Sequence, residues 1–221
     1  MDVLARLDGA RRAINVLEHP FYERWSAGEL SAAELSCYAG EYRHAVIALA
    51  SASAIAAEKA APAHRAGLRR HADEEASHLT LWEGFAQAAG APAPASGPEA
   101  LPGTRACVEA WIAGEDLLEH LAVLYAIEAG QPEVSRTKLE GLTAHYGYSE
   151  EGPASEYFRV HETLDVDHAR QARELMTTLM AEVEDPEDHA DRMVRRAGAA
   201  LRGNWRLLDG VQAQAPAGAC L

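Results

Sequence analysis

The sequence predicts an all-α protein: a compact bundle of about seven helices forming one domain over residues 1–212. Apolar residues recur at three- and four-residue spacing along most of the chain, the signature of helices with one buried face. Alanine dominates an apolar fraction of 48%, and aromatic residues make up only 6%. That composition suits close-packed helices, since a sheet draws on more valine, isoleucine and aromatic side chains.

The elements follow in order. A first helix is expected over residues 2–18, stopped by His19-Pro20 because a residue before proline avoids the α region. A short turn of helix over 21–27 ends at Gly28. Ser31-Ala-Ala-Glu34 has capping-box form and should start a long helix running to about residue 60. Pro62 opens the next, which carries His71 to His78 and continues to about residue 89. Residues 90–102, rich in Pro, Ala and Gly, form the one obvious loop. Helices follow over about 104–113, 115–129 and 133–146, broken by Gly114, Gly130 and Gly147. A long helix over about 154–182 carries a histidine cluster, Pro186 opens the last helix, and residues 213–221 are expected to be a disordered tail.

Charge narrows the function. The net charge of −14, from 34 acids and 20 bases, opposes binding to nucleic acid or anionic lipid, which attract Lys and Arg. The run Arg192, Arg195, Arg196 reads as a solvated helix face. The longest nearly apolar stretch, 45–57, is too short to cross a bilayer, and no secretory segment is recognised at the start. Cys37, Cys107 and Cys220 are widely spaced and odd in number, which points to a reducing, cytoplasmic setting and not a disulfide frame.

The strongest chemical signal is His161-Glu-Thr-Leu-Asp165-Val-Asp-His168. At roughly 100° per residue, positions i, i+4 and i+7 share one helix face. Two imidazoles and a carboxylate on one face are a ligand set for iron, manganese or zinc. His71, Glu74, Glu75 and His78 offer a second group. Glu74 and His78 form an i, i+4 pair, while Glu75-Ala-Ser-His78 has the E-x-x-H form of di-iron bundles, so spacing leaves the choice open. Glu128 ends the apolar run Leu121-Ala-Val-Leu-Tyr-Ala-Ile-Glu128, where an uncompensated carboxylate would be costly. A metal ion or an arginine meets that demand. Three carboxylates from three helices would nearly neutralise two ferrous ions.

Several segments resemble the haem-oxygenase-like di-iron oxidases, in particular the branch of the chlamydial protein associating with death domains (CADD), related to the pyrroloquinoline-quinone synthase and TenA families. They are His19-Pro-Phe-Tyr22-Glu-Arg-Trp25, Asp73-Glu74-Glu75 with His78-Leu-Thr-Leu-Trp82, Leu124-Tyr125-Ala-Ile-Glu128, Lys138-Leu-Glu-Gly-Leu, and His161, Asp165 and His168. The resemblance covers about residues 15–210. It implies a seven-helix haem-oxygenase-like bundle that binds no haem. It also implies two iron ions (Fe2+/Fe3+, or manganese) held by Glu74, His78, Glu128, His161, Asp165 and His168, with dioxygen as co-substrate. Only three residues separate Glu74 from His78, where the family usually has a longer insert, so Glu75 stays open as the alternative to Glu74.

The same resemblance implies an oxidase acting on a small organic substrate of amino-acid or fatty-acid type, or on the protein's own tyrosine to form para-aminobenzoate. In the CADD-like branch a tyrosine and a lysine of the protein are consumed, and Tyr22 and Lys138 stand at the matching positions. An external electron donor and a homodimer are further expectations. Two competing readings are a metal-free TenA- or quinone-synthase-like enzyme using Cys107 as nucleophile, and a non-catalytic helical interaction protein. The last predicts that the six candidate ligands scatter over the surface.

Overall fold

The computed structural model describes residues 2–94 and 99–214. Nine α-helices and a short 3-10 turn account for the regular structure, with no strand among the described residues. They are α1 (Val3–Ala13), the 3-10 turn (Val16–Glu18), α2 (Pro20–Ala27), α3 (Ala32–Lys59), α4 (Pro62–Ala88), α5 (Pro102–Ile112), α6 (Leu117–Glu128), α7 (Gln131–His145), α8 (Pro153–Met180) and α9 (Pro186–Gln214). Setting aside the eight-residue α2, eight helices have eleven residues or more, so the expected count of seven is too low. α9 continues through Ala213 and Gln214, and the remainder of the expected tail, 215–221, lies outside the described residues.

The first helix is shorter than expected because Asn15 interrupts it. Its side chain accepts from Leu17 N and starts the separate 3-10 turn, an alternative that asparagine offers the backbone. α2 is capped by His19, whose Nδ1 accepts from Phe21 N at 3.0 Å, with Pro20 in the first turn. It closes on Gly28 at φ 72°, a left-handed position where an added Cβ would lie 2.7 Å from the His145 ring. The capping box at Ser31 and Glu34 forms as the spacing predicts. α6 begins two residues later than expected, at Leu117, because Asp116 supplies the cap by accepting from Glu119 N.

The long α3 packs against α4, and against α5, α6 and α9, while α8 lies against α4, α6 and α7. Trp82 Nε1 donates to Ala39 O at 2.9 Å, joining α4 to α3 across a fully buried indole whose burial is worth about 2–3 kcal/mol. At Gly103 an added Cβ would meet Arg206 O at 2.1 Å, so glycine lets α5 close onto α9. Arg192 pairs with Asp116, Glu119 and Asp188, and Arg196 with Glu119. These pairs neutralise much of the basic run. No helix is long and apolar enough to cross a membrane among the described residues. Cys107 is a buried free thiol, whereas Cys37 is disulfide-bonded, which departs from the expectation of free thiols throughout.

Candidate metal centre

Three helices converge on one buried cluster. α4 contributes His71, Glu75 and His78, α6 contributes Glu128, and α8 contributes His161, Asp165 and His168. Two groups of ligand atoms lie within 4.8 Å of one another: His71, Glu75, Glu128 and His168, and Glu75, His78 and His161. Glu75 belongs to both. Its Oε1 is 3.4 Å from His78 Nδ1, 3.6 Å from His168 Nδ1 and 3.9 Å from His71 Nε2. His71 Nε2 is 2.9 Å from Glu128 Oε1, and Asp165 Oδ1 is 3.4 Å from His168 Nδ1.

The structure brings together five of the six residues expected as ligands: His78, Glu128, His161, Asp165 and His168. Glu74 is the correction. Its side chain is 49% exposed, and it accepts a hydrogen bond from His168 Nε2 at 3.1 Å. That contact leaves His168 Nδ1 turned to the cluster. The interior position belongs to Glu75, which is 1% exposed, and His71 joins it as a donor missing from the expected set. A readable signal existed. Leu68, His71, Glu75, His78, Trp82 and Phe85 follow each other at alternating three- and four-residue steps, so an apolar face continues directly into the polar cluster. Glu74 lies about 100° away from that line.

The donor set fits a metal. Both oxygens of Asp165, Oε2 of Glu128 and Nε2 of His161 are buried without a hydrogen-bond partner among the described residues. So many unpartnered polar atoms in one place would be strongly unfavourable unless a cation draws them together. His161 Nδ1 donates to Tyr157 O at 2.7 Å, fixing the tautomer that presents a bare Nε2 to the cluster. Burial pushes the Asp165 carboxyl up to about 6. For Glu75 burial acts in the same sense, but the surrounding imidazoles prevail and hold it below the usual carboxylate range. Burial lowers His161, whereas His168, though also partly desolvated, is raised to about 9 by Asp165, Glu128 and Glu74. A cleft of about 530 Å³ between α4, α6 and α8 reaches His71 and His168 from outside.

Beside the cluster lies a second buried site. Lys138 on α7 is 1% exposed, and its Nζ sits 4.6 Å from the Tyr42 ring, 5.3 Å from Tyr22, 5.4 Å from Tyr38 and 5.5 Å from Phe158. Desolvation brings the amine down to about 7, so a large share is neutral near neutral pH. The Tyr22 and Tyr38 hydroxyls are 3.0 Å apart, and burial raises both phenols well above their ordinary range. Trp25 Nε1 donates to Lys138 O at 3.1 Å and fixes the lysine backbone. Tyr22 and Lys138, the pair singled out by the family resemblance, therefore lie in one buried pocket. α8 connects the two sites: Phe158 faces Lys138, while Tyr157 stacks on His161 at 3.9 Å between ring centres.

The competing readings lose their footing here. The expected ligands do not scatter over the surface. Cys107 is fully buried in apolar surroundings that raise its thiol well above the ordinary range, the opposite of an activated nucleophile.

Comparison with known proteins agrees with this geometry. A family described as "Iron-containing redox enzyme" matches residues 71–205, which include every residue of the cluster. The chain is 31% identical over 218 residues to a 4-aminobenzoate synthase of Chlamydia trachomatis, covering 95% of this chain and 91% of that one. It is 30% identical over 225 residues to a 4-aminobenzoate synthase of Nitrosomonas europaea, covering 93% and 89%. Two solved structures share the fold. A TenA homologue from Pseudomonas syringae pv. tomato aligns with a TM-score of 0.79 at 18% identity, covering 96% of this chain and 91% of that one. A CADD-like protein from Nostoc punctiforme aligns with a TM-score of 0.74 at 18% identity, covering 96% of each chain. With the haem-oxygenase-like fold, a buried His/Glu/Asp cluster and relatives matched over nearly its whole length, this chain belongs to the iron-containing redox enzymes and is an oxidoreductase.

Proposed function

We propose that the cluster holds two iron ions and that the enzyme uses dioxygen to convert its own Tyr22 into 4-aminobenzoate, with Lys138 supplying the nitrogen. The observation that carries this reading is the burial of Tyr22 and Lys138 together, next to the cluster, with no carboxylate paired with the amine among the described residues. The names of the relatives supply the product.

His71, Glu75, Glu128 and His168 would hold one ion and Glu75, His78 and His161 the other, with Asp165 beside His168 as a further carboxylate of the cluster. Manganese in one position suits the same donors. Bound iron would supply the activation of dioxygen that neither tyrosine nor lysine can provide. The rest falls to the chain. A tyrosine side chain already holds an aromatic ring with one carbon para to its oxygen. Reaching 4-aminobenzoate requires breaking the Cα–Cβ bond, oxidising Cβ to a carboxylate at the expense of dioxygen, and exchanging the phenol oxygen, which leaves as water, for the Lys138 nitrogen, whose Cε–Nζ bond breaks. Tyr38 holds the Tyr22 hydroxyl in place, and the aromatic walls keep Lys138 desolvated, hence nucleophilic as the free amine. Water is excluded from both groups. Electrons beyond those of the tyrosine would come from an external donor.

The test loads the protein with Fe(II) anaerobically, admits dioxygen, and follows intact mass and filtrate together. A mass loss located at Tyr22 by peptide mapping, with ring label from tyrosine appearing in 4-aminobenzoate, is the expected result. Product formed equally well by Tyr22→Phe would overturn it. A second reading, oxidation of a small external molecule, is favoured by the cleft that reaches His71 and His168. It predicts turnover that survives in Tyr22→Phe.

A further inference from the structure

A second cavity, of about 430 Å³, lies apart from the cluster, between α1, the α6–α7 turn, α8 and α9. Its chemistry has two ends. Arg11, Arg12 and Arg173 stand on its wall, against the acids Asp8 and Glu133, a local excess of positive charge on a chain of net −14. Arg173 is paired with Asp8 at 2.9 Å, and Arg11 donates to Ala129 O at 2.6 Å. Arg12 is exposed and makes no ion pair among the described residues. Asn204 also lines the cavity, and its Oδ1 is buried without a hydrogen-bond partner. Ile14, Leu17, Ile127, Val134 and Leu201 supply apolar surface in between.

An unpaired guanidinium, an apolar wall and an orphaned carbonyl acceptor describe a ligand with a carboxylate, an unsaturated or aliphatic body and an N–H donor. The cavity also touches the site. Gln131 lines it and donates from Nε2 to the Tyr42 hydroxyl at 3.3 Å, and Tyr42 is the ring nearest the Lys138 amine. From these observations we infer that this cavity binds an amino-substituted aryl carboxylate, held by Arg12 and Asn204, and serves as the holding site for the product on its way out. The identification of that ligand as the product rests on the function proposed above. The geometric case for an aminocarboxylate does not.

Titration calorimetry on the iron-loaded enzyme under anaerobic conditions tests it with 4-aminobenzoate, benzoate and aniline as probes. Saturable one-to-one binding of 4-aminobenzoate is expected, with benzoate weaker and aniline undetectable. Arg12→Ala and Asn204→Leu should each weaken binding about tenfold, the loss expected for one charge-assisted or buried hydrogen bond, with unchanged thermal melts. No saturable heat, affinity unchanged in both variants, or benzoate binding as tightly as 4-aminobenzoate would overturn the assignment. An enzyme that releases 4-aminobenzoate from Tyr22 yet fails these measurements loses this cavity and keeps its function. Binding as described without any 4-aminobenzoate formation leaves the cavity and removes the reaction.

Discussion

The cluster around Glu75 and the box around Lys138 bury ionisable groups by opposite means. In the first, carboxylates and imidazoles face one another, so charges of opposite sign lie side by side in a donor set that suits a cation. In the second, one amine is ringed by Tyr22, Tyr38, Tyr42 and Phe158. Aromatic faces attract a cation but do not replace its hydration, so the amine yields its proton instead. One site is built to keep charge and the other to shed it. The reaction proposed above would use both: anions to hold metal, and a neutral amine to form a bond.

The largest expected effect breaks the first site. Glu75→Ala removes the carboxylate common to both donor groups and should reduce bound iron to background after anaerobic loading, read by metal analysis per chain. In the wild type, Fe(II) in hundredfold excess over its dissociation constant should stabilise by about 2.7 kcal/mol. That corresponds to a melting shift of roughly 5–10 °C, which Glu75→Ala should lose.

The second prediction concerns the amine. Its folded pKa of about 7 lies below the ordinary value of 10.5. Below pH 7 both states carry the proton, and the folded state bears the full cost of a buried ammonium. Between about pH 7 and 10 the unfolded chain binds more protons, so this lysine makes stability rise with pH, by up to about 1.4 kcal/mol per unit. Lys138→Met should melt higher than wild type at pH 6, with the gap narrowing towards pH 9.5 in parallel thermal scans of iron-free protein. A constant gap would show that the amine does not titrate in this range.

The smallest effect sharpens the boundary of the cluster. Glu74 only orients His168 from the surface, so Glu74→Gln should retain iron and weaken its binding roughly tenfold, the low end for a partner that fixes a ligand ring. A loss as complete as that of Glu75→Ala would restore Glu74 as a ligand.

Much of this was legible in the chain. The spacing of His161, Asp165 and His168 placed three donors on one face, and Glu128 stood out because an acid in an apolar run demands compensation. The helix starts at Ser31 and Pro62 could be read from their caps. Glu74 against Glu75 could not be decided by the E-x-x-H and i, i+4 patterns, because both occur in the same eight residues. Asn15 and Asp116 shifted helix ends because a side chain that bonds its own backbone competes with the helix at a cost too small for periodicity to reveal.

What the sequence determined by itself is the helical class and the supply of ligands, since both depend on local spacing at 3.6 residues per turn. What the tertiary structure added is the rotation of α4 about its axis, which the stripe through Leu68, Trp82 and Phe85 indicates and only packing fixes. Trp82 and Phe85 lock into the core, and that turns Glu75 and His71 inward and leaves Glu74 to solvent. The meeting of Tyr22 with Lys138 was settled the same way, because residues 116 apart in sequence come together only when α2 packs on α7. Spacing fixes which side chains share a face. Packing fixes where the face points.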